Sequence, residues 1–155
     1  MQTLLIDSQL LLLLVVGAVS PKYIAKHKRL TPVYTEADFN ILLELVDRSA
    51  AVAVTPNTLT ETSNLLGQIG DPIRTELFTG FAQVVKQFQE YYIDSRQAAE
   101  QDVFVRLGLA DAAMLTANKS GLSLLTADLD LYMAAAESGQ EAINFNHVRE
   151  ARESI

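Results

Sequence analysis

The chain has 155 residues, of which 49% are hydrophobic and 20% are charged, and its formal net charge is −7. This length and balance indicate a globular domain with a substantial core rather than a disordered chain, and the acidic charge argues against a protein that coats nucleic acid through its overall charge. The absence of cysteine excludes disulfides, thiolate zinc sites and cysteine nucleophiles, and two histidines supply few ligands for a zinc site or a Ser-His-Asp triad.

The first half of the chain alternates short apolar runs with amphipathic segments. Its predicted elements, in order, are a strand at Thr3–Ile6, a helix at Leu10–Val16, a basic loop or short helix at residues 21–35, a helix from Thr35 to about Arg48 and a strand at Ala51–Val54. The run Leu10–Val16 is shorter than the roughly 20 residues that span a bilayer, and no basic segment precedes it as in a signal peptide. We therefore expect a buried helix here, and a cytoplasmic protein without membrane association.

The second half continues this alternation. Thr58 and Glu61 have the T-x-x-E spacing of a capping box at the start of a helix. The remaining predicted elements are a helix from Asp71-Pro72 with Ile73, Leu77, Phe81, Val84 and Val85 facing inward, a strand at Glu90–Ile93, a helix at Gln97–Leu107 capped by Ser95, a helix from Asp111 to about Asn118, a strand at Leu122–Thr126, a helix at Leu129–Glu137 and a strand near Ala142–Phe145. This order predicts one α/β domain at residues 1–147, with a mainly parallel, twisted sheet of about four to five strands flanked by helices, and a C-terminal tail at residues 148–155.

Four carboxylates lie where a strand or loop gives way to a helix: Asp7, Glu61, Asp111 and Asp128. Ligands of parallel sheets bind beyond the carboxyl ends of the strands, so these acids are expected to converge there. Grouped carboxylates supply the hard oxygen ligands that Mg²⁺ or Mn²⁺ prefers. Each acid alone could instead be a helix N-cap or, for Glu61, the second member of its capping box, and local context leaves that choice open.

Three polar residues near these acids have the same two interpretations. Asp130 is either a further ligand or a solvent-facing acid in the first turn of a helix. Ser8 and Thr126 could orient a carboxylate or a water on the metal, or could be an ordinary cap and an ordinary strand residue.

A basic stretch, PKYIAKHKR, contributes four cations: Lys22, Lys26, Lys28 and Arg29. They could guide substrate phosphates or form a solvated face. Its histidine, His27, is expected at the surface, and His147 is expected in the C-terminal tail.

The order and settings of the four acids resemble the PIN domain family of ribonucleases, over about Leu4 to Phe145. The matching motifs are LLIDSQ, TETSNLL, LGLADAA and LLTADLDLY, and the last two with their spacing are the most specific. Two features depart from the family pattern. Gln9 stands where a small polar residue such as Asn is usual, and the segment Val19–Thr35 has the character of an insertion.

The resemblance implies a PIN-like nuclease domain and a Mg²⁺- or Mn²⁺-dependent endoribonuclease that hydrolyses RNA phosphodiester bonds. It assigns Asp7, Asp111 and Asp128 as the main metal ligands and Glu61 as the residue that helps to position the metal or the attacking water, with one metal or two left open. Small single-domain members of the VapC-like group are toxins of toxin–antitoxin pairs. That part of the resemblance adds an antitoxin protein and a second copy of the chain as partners.

Two other classes are compatible with parts of the pattern. A phosphoryl-handling α/β domain could use Asp7, although Asp7-Ser8-Gln9 lacks the paired acids of a receiver domain and the Asp-x-Asp of a haloacid-type phosphatase. A non-catalytic interaction module is the second alternative, and in it the four acids would serve only as caps.

Overall fold

The computed structural model describes residues 2–118 and 121–153. In these residues five strands form one sheet in the order β3-β2-β1-β4-β5, and every pair is parallel. The strands are β1 Thr3–Ile6, β2 Ala51–Val54, β3 Gln89–Glu90, β4 Ser123–Thr126 and β5 Ala142–Asn144. The predicted α/β architecture with a mainly parallel sheet flanked by helices is confirmed.

Helices connect all of these strands. They are α1 Ser8–Val19, α2 Glu36–Arg48, α3 Pro56–Leu66, α4 Ile73–Val85, α5 Ser95–Ala99, α6 Phe104–Leu107, α7 Leu109–Asn118, α8 Leu129–Glu137 and α9 Phe145–Glu153, with a 3₁₀ helix at Pro21–Lys26 after α1. The three interior strands are short apolar runs, as parallel strands buried on both faces require.

The side chains of β1 alternate between two cores. Leu4 and Ile6 pack into a cluster with α1 to α4, whereas Leu5 packs with residues of α7 and α8. This alternation follows from the two-residue period of a strand. The sheet therefore separates two layers of helices.

Helix α1 lies in the first of these cores, and every residue from Leu10 to Gly17 is buried. A helix that is apolar on all sides is expected to be enclosed by other elements, and α1 contacts α2, α3, α4 and the 3₁₀ helix. The prediction of a buried helix is confirmed. Within the described ranges, no helix is both long and apolar enough to cross a membrane.

Gly17 allows α2 to approach α1 closely. A Cβ atom at this position would lie 2.1 Å from Cδ1 of the Phe39 ring, and Phe39 is buried. We expect Gly17→Ala to lower the free energy of unfolding by about 1–3 kcal/mol, because overpacking outweighs the better helix propensity of alanine. Urea unfolding measures this, with Gly67→Ala as the control, since a Cβ there meets only ordinary contacts at 3.7 Å. Equal stability of wild type and Gly17→Ala would contradict the close approach.

Several predicted boundaries differ from the structure. Residues 97–107 form two helices, α5 and α6, and the N-cap of α5 is Asp94 rather than Ser95. Of the strand predicted at Glu90–Ile93, only Glu90 belongs to β3, although Tyr91 and Ile93 still pack against the second core. Strand β3 ends at Glu90, because it pairs with β2 at only two positions.

The predicted C-terminal tail begins inside α9, which includes residues 148–153; residues 154 and 155 lie outside the described residues. His147 is exposed on this helix, with its ring edge-on to Tyr132 at 5.6 Å between centroids. Helix α9 packs against α2 and β5, and it therefore adds to the core.

Candidate functional site

All four predicted acids line one pocket of about 640 Å³: Asp7, Glu61, Asp111 and Asp128. The pocket lies beyond the carboxyl ends of β1 and β4, which are parallel neighbours. Asp7 follows β1 directly, and Asp128 follows β4 after one residue, Ala127. Parallel pairing thus brings together two acids that are far apart in the sequence.

Asp7 is the deepest of the four, with 7% of its surface exposed. It is the N-cap of α1, and its Oδ1 accepts a hydrogen bond from the Leu10 N–H at 3.2 Å. The Thr126 hydroxyl donates to its other carboxylate oxygen, Oδ2. The carboxylate therefore has a fixed orientation, and capping uses only one of its oxygens.

Thr126 links the two strand-end acids. Its buried hydroxyl donates to Asp7 and accepts the N–H of Asp128 at 3.0 Å. Asp128 is itself the N-cap of α8, with Oδ1 accepting from the Leu131 N–H at 3.1 Å. The Thr126 hydroxyl therefore contacts a carboxylate, as the first of its two interpretations predicts.

The capping box predicted at Thr58 and Glu61 is wrong. Helix α3 starts at Pro56 with Thr55 as its N-cap, and the Thr55 hydroxyl accepts from the Thr58 N–H at 3.2 Å. Proline suits the first position of a helix, so the helix begins there rather than after Thr58. Glu61 is consequently in the second turn of α3, exposed, and not a capping residue.

The predicted helix start at Asp111, which would make this acid an N-cap, is also wrong. Helix α7 starts two residues earlier, at Leu109, because Gly108 adopts a φ of +88° and reverses the chain after α6. Asp111 therefore lies inside the first turn of α7, half-buried, where the helix dipole favours a negative charge.

Burial and neighbouring negative charges raise the pKa values of two of the acids. Burial raises the pKa of Asp7 from 3.8 to about 6, and the charge of Asp128 adds to this, while hydrogen bonds from Thr126 and Leu10 oppose it. Burial also raises the pKa of Asp111, to about 7, and the charges of Asp128, Asp7 and Glu61 raise it further. The charge of Asp128 therefore disfavours the ionisation of Asp7, and the charges of Asp128, Asp7 and Glu61 disfavour that of Asp111.

This donor set fits a divalent cation by its chemistry. Carboxylate oxygens are the preferred ligands of Mg²⁺ and Mn²⁺, and a cation would offset both the burial of negative charge and the repulsion that together raise the two pKa values. In the described part of the chain, no three Asp, Glu or His side chains already have the spacing of a complete metal site. The fit therefore rests on the type of donor and on the electrostatic interaction.

Part of the basic stretch lies beside the acids. Lys28 and Arg29 are exposed and line the pocket, whereas Lys22 and Lys26 lie on the preceding 3₁₀ helix, outside the pocket lining. The pocket thus combines four carboxylates with two cations.

The polar residues near the acids also differ in whether they line the pocket. Ser8 and Gln9, from the first turn of α1, are in the pocket lining. Asp130 is exposed in the first turn of α8 and is not in the lining.

His27 is fully buried, so the prediction of a surface histidine is wrong. Its ring Nδ1 accepts a hydrogen bond from the Arg29 N–H at 3.2 Å, and burial lowers its pKa. His27, Leu30 and Tyr34 are the buried residues of a turn segment, residues 27–34, whose other side chains are exposed. The many charged residues of the basic stretch gave no indication that these three residues are buried.

Five pocket residues had no role in the sequence-based assignment: Pro32, Val33, Tyr34, Met114 and Ala127. Burial raises the pKa of Tyr34 to about 12, and the charge of Asp7 contributes to this shift. Met114 could have been found, since it follows Asp111 by one helical turn and so shares its face. Val33 and Tyr34 carry no comparable signal.

Comparison with known proteins gives no family assignment. No protein-family model matches this chain, and no curated protein matches it. The chain is similar to a solved structure described as a domain of a functionally unknown protein from Methanocaldococcus jannaschii DSM 2661, with 17% sequence identity and a TM-score of 0.48. That alignment covers 92% of this chain and 90% of the other. The resemblance to the PIN domain family therefore stays a prediction.

Proposed function

We propose that the protein is a Mg²⁺- or Mn²⁺-dependent endoribonuclease of the PIN type. The observation that carries this proposal is the single pocket lined by Asp7, Glu61, Asp111 and Asp128, in which the pKa of two carboxyls is raised and two cations lie alongside. Carboxylates that repel one another in one pocket are suited to share a divalent ion, and the adjacent cations are suited to bind a phosphodiester.

In this proposal the residues of the chain have distinct roles. Asp7, Asp111 and Asp128 hold the metal, and the Thr126 hydroxyl keeps the Asp7 carboxylate in one orientation. An ion held there would supply Lewis-acid stabilisation of the phosphoryl group and would lower the pKa of a water. Glu61 is exposed at the pocket and so can orient the attacking water and accept its proton.

The cations of the turn segment bind the substrate. Lys28 and Arg29 are exposed in the pocket lining, where each can donate to phosphate oxygens. RNA as the substrate, an antitoxin protein and a second copy of the chain as partners, and a cytoplasmic location belong to this proposal through the resemblance to the family.

The proposal is tested by Asp128→Asn with Asp130→Asn as the matched control. Both acids are exposed and lie two residues apart, but only Asp128 lines the pocket. Asparagine caps helices as well as aspartate does, so the hydrogen bond to Leu131 and the fold should be kept. We expect Asp128→Asn to lower Mn²⁺-dependent cleavage of an RNA panel by about 100-fold or more, since loss of outer-shell partners alone costs about 10- to 100-fold.

Asp130→Asn should cleave at the wild-type rate. Equal cleavage by all three proteins would reject the site and point to a contaminating nuclease. Absence of cleavage together with an aspartyl-phosphate mass after incubation with acetyl phosphate would favour the phosphoryl-handling class. Absence of both Mn²⁺ binding and cleavage would favour the non-catalytic module.

A further inference from the structure

Helix α9 connects two segments of the pocket through a continuous series of hydrogen bonds. The Asn146 side-chain amide donates to the Ala127 carbonyl at 3.2 Å, and its Oδ1 accepts from Arg149 Nε at 3.1 Å. Arg149 Nη1 then donates to the Val33 carbonyl at 3.0 Å. Ala127 precedes Asp128, and Val33 lies in the turn segment with Lys28. Two residues of one helix thus join the acidic and the basic parts of the pocket.

The guanidinium of Arg149 has further partners at the turn segment. Its Nη1 also contacts Asp38 Oδ2 at 3.1 Å, and it lies over the Tyr34 ring at 5.0 Å from the centroid. The side chains of Arg149 and Asp38 are only 21% and 11% exposed. Asp38 in turn accepts from the Thr35 N–H at 2.9 Å, in the capping box of α2. A half-buried, multiply bonded arginine holds its geometry better than an exposed ion pair does.

The Arg149 contact lies at the C-terminal end of the turn segment. Its beginning is anchored by the buried side chains of His27 and Leu30, and its internal amides bond to the carbonyls of these two residues or, for Arg29, to the His27 ring. At its other end Tyr34 is buried, whereas the preceding residue, Val33, is 51% exposed and its carbonyl accepts a hydrogen bond from Arg149.

We infer that Asn146 and Arg149 are positioning residues that hold the Val33–Tyr34 side of the pocket at a fixed place relative to Asp128. This inference rests on the proposed function. They set the affinity of the pocket for the substrate and leave the metal ligands, and hence the chemical step, unchanged.

The same helix offers a matched control. Arg152 Nη2 bonds Glu44 Oε2 at 2.6 Å, which also ties α9 to α2, but these side chains are 40% and 47% exposed and neither lines the pocket. If Arg149 only helped to hold α9 against α2, Arg152→Gln and Arg149→Gln should have equal effects. If Arg149 is a positioning residue, only Arg149→Gln should change KM.

The first experiment compares kinetic constants for RNA cleavage. We expect Arg149→Gln and Asn146→Ala each to raise KM about tenfold, as loss of one hydrogen bond of a charged group does, with kcat within about twofold of wild type. Mn²⁺ affinity, measured by calorimetry without RNA, should be unchanged, and Arg152→Gln should match wild type throughout. An unchanged KM in both variants, or an equal rise in Arg152→Gln, would overturn the inference.

Arg149→Lys separates charge from geometry. An ammonium can pair with Asp38 but cannot also reach Asn146 and Val33 as a planar guanidinium does. We expect a KM between those of wild type and Arg149→Gln, and a wild-type KM would count against the inference. If Arg149→Gln does not fold, Asn146→Ala still tests the same hydrogen-bond series with the Arg149–Asp38 pair intact.

The second experiment needs neither RNA nor metal. Hydrogen exchange of the amides of Leu30, Thr31, Val33 and Tyr34, which are bonded within the turn segment, should be faster in Arg149→Gln than in Arg152→Gln. An inactive wild type with faster exchange in Arg149→Gln would reject the proposed function and keep the positioning role. Unchanged exchange would reject the positioning role whether or not the wild type cleaves RNA.

Discussion

Asp7→Asn will lower metal-dependent RNA cleavage by about 100-fold or more and will also make the metal-free protein more stable at pH 8. The carboxylate is 7% exposed, its pKa is raised to about 6, and no cation is among the causes of that shift. Asparagine keeps the size of the side chain and its ability to cap α1. Removal of an unfavourable buried charge should therefore raise the free energy of unfolding by about 1–3 kcal/mol.

Asp38→Asn is the control for this stability effect. Asp38 is 8% exposed and also bonds at a helix start, but its carboxylate is paired with Arg149 at 3.1 Å. The same substitution there leaves a half-buried arginine without its anion and should destabilise the protein. Urea unfolding at pH 8 with a chelator measures both variants. A loss of stability in Asp7→Asn similar to that in Asp38→Asn would show that Asp7 is a purely structural cap.

The metal-free protein will lose stability as the pH rises from about 4 to 8, and Mn²⁺ will restore it at the upper end. The folded state raises the pKa of Asp7 to about 6 and that of Asp111 to about 7, from 3.8. Over this window the folded state binds more protons than the unfolded state, so unfolding becomes easier with increasing pH. The stability from these two groups is complete below about 3.8 and is lost as the pH passes the folded pKa values.

The size of this effect comes mainly from Asp7. Raising the pKa of the buried Asp7 carboxyl from 3.8 to about 6 corresponds to about 3 kcal/mol. Asp111 contributes less than its shift suggests, because it is partly exposed and screened by solvent. Folding lowers the pKa values of the exposed Glu44 and Asp71, and these two groups therefore make the protein more stable as the pH rises. The comparison for this reason uses the difference in the free energy of unfolding between wild type and the Asp7→Asn, Asp111→Asn double variant.

Thermal unfolding at pH 5 and pH 8, with and without Mn²⁺, measures this linkage. We expect Mn²⁺ to raise the Tm of wild type more at pH 8 than at pH 5, because the ion binds ionised carboxylates and displaces their protons. Calorimetry in two buffers of different ionisation enthalpy should show proton release near pH 6. A Tm increase that is independent of pH, or that persists in the double variant, would place the ion elsewhere.

The strands and most helices were predictable because their signals are local. Short apolar runs between turn residues mark β1, β2 and β4, and the position of Asp7 and Asp128 at strand ends follows directly. Parallel sheets bind ligands at that edge, so convergence could be expected before the structure was known. The start of α3 was missed because Thr55 and Thr58 both suit a helix N-cap, and the choice between them falls to Pro56.

The remaining features depend on contacts between distant parts of the chain. The burial of His27 is set by the packing of the turn segment, whereas its sequence context is charged. Arg149 lies 116 residues from Val33 and 111 from Asp38, and nothing in its own neighbourhood indicates these partners. Periodicity reveals which residues share a face of one element, but it does not reveal which elements meet.

The central position of β1 also sets the order in which the site can assemble during synthesis. The carboxylate of Asp7 and the hydroxyl of Thr126 are 119 residues apart, and β1 pairs with β4 as well as with β2. Parallel pairing over such separations requires closure of a long loop before its contacts form, which makes this pairing slow. A nascent chain that has completed β1, β2 and the helices between them still lacks Thr126, Asp128 and the whole of α9. The pocket therefore forms only after β4 has been synthesised, and a partly translated chain cannot have the proposed activity.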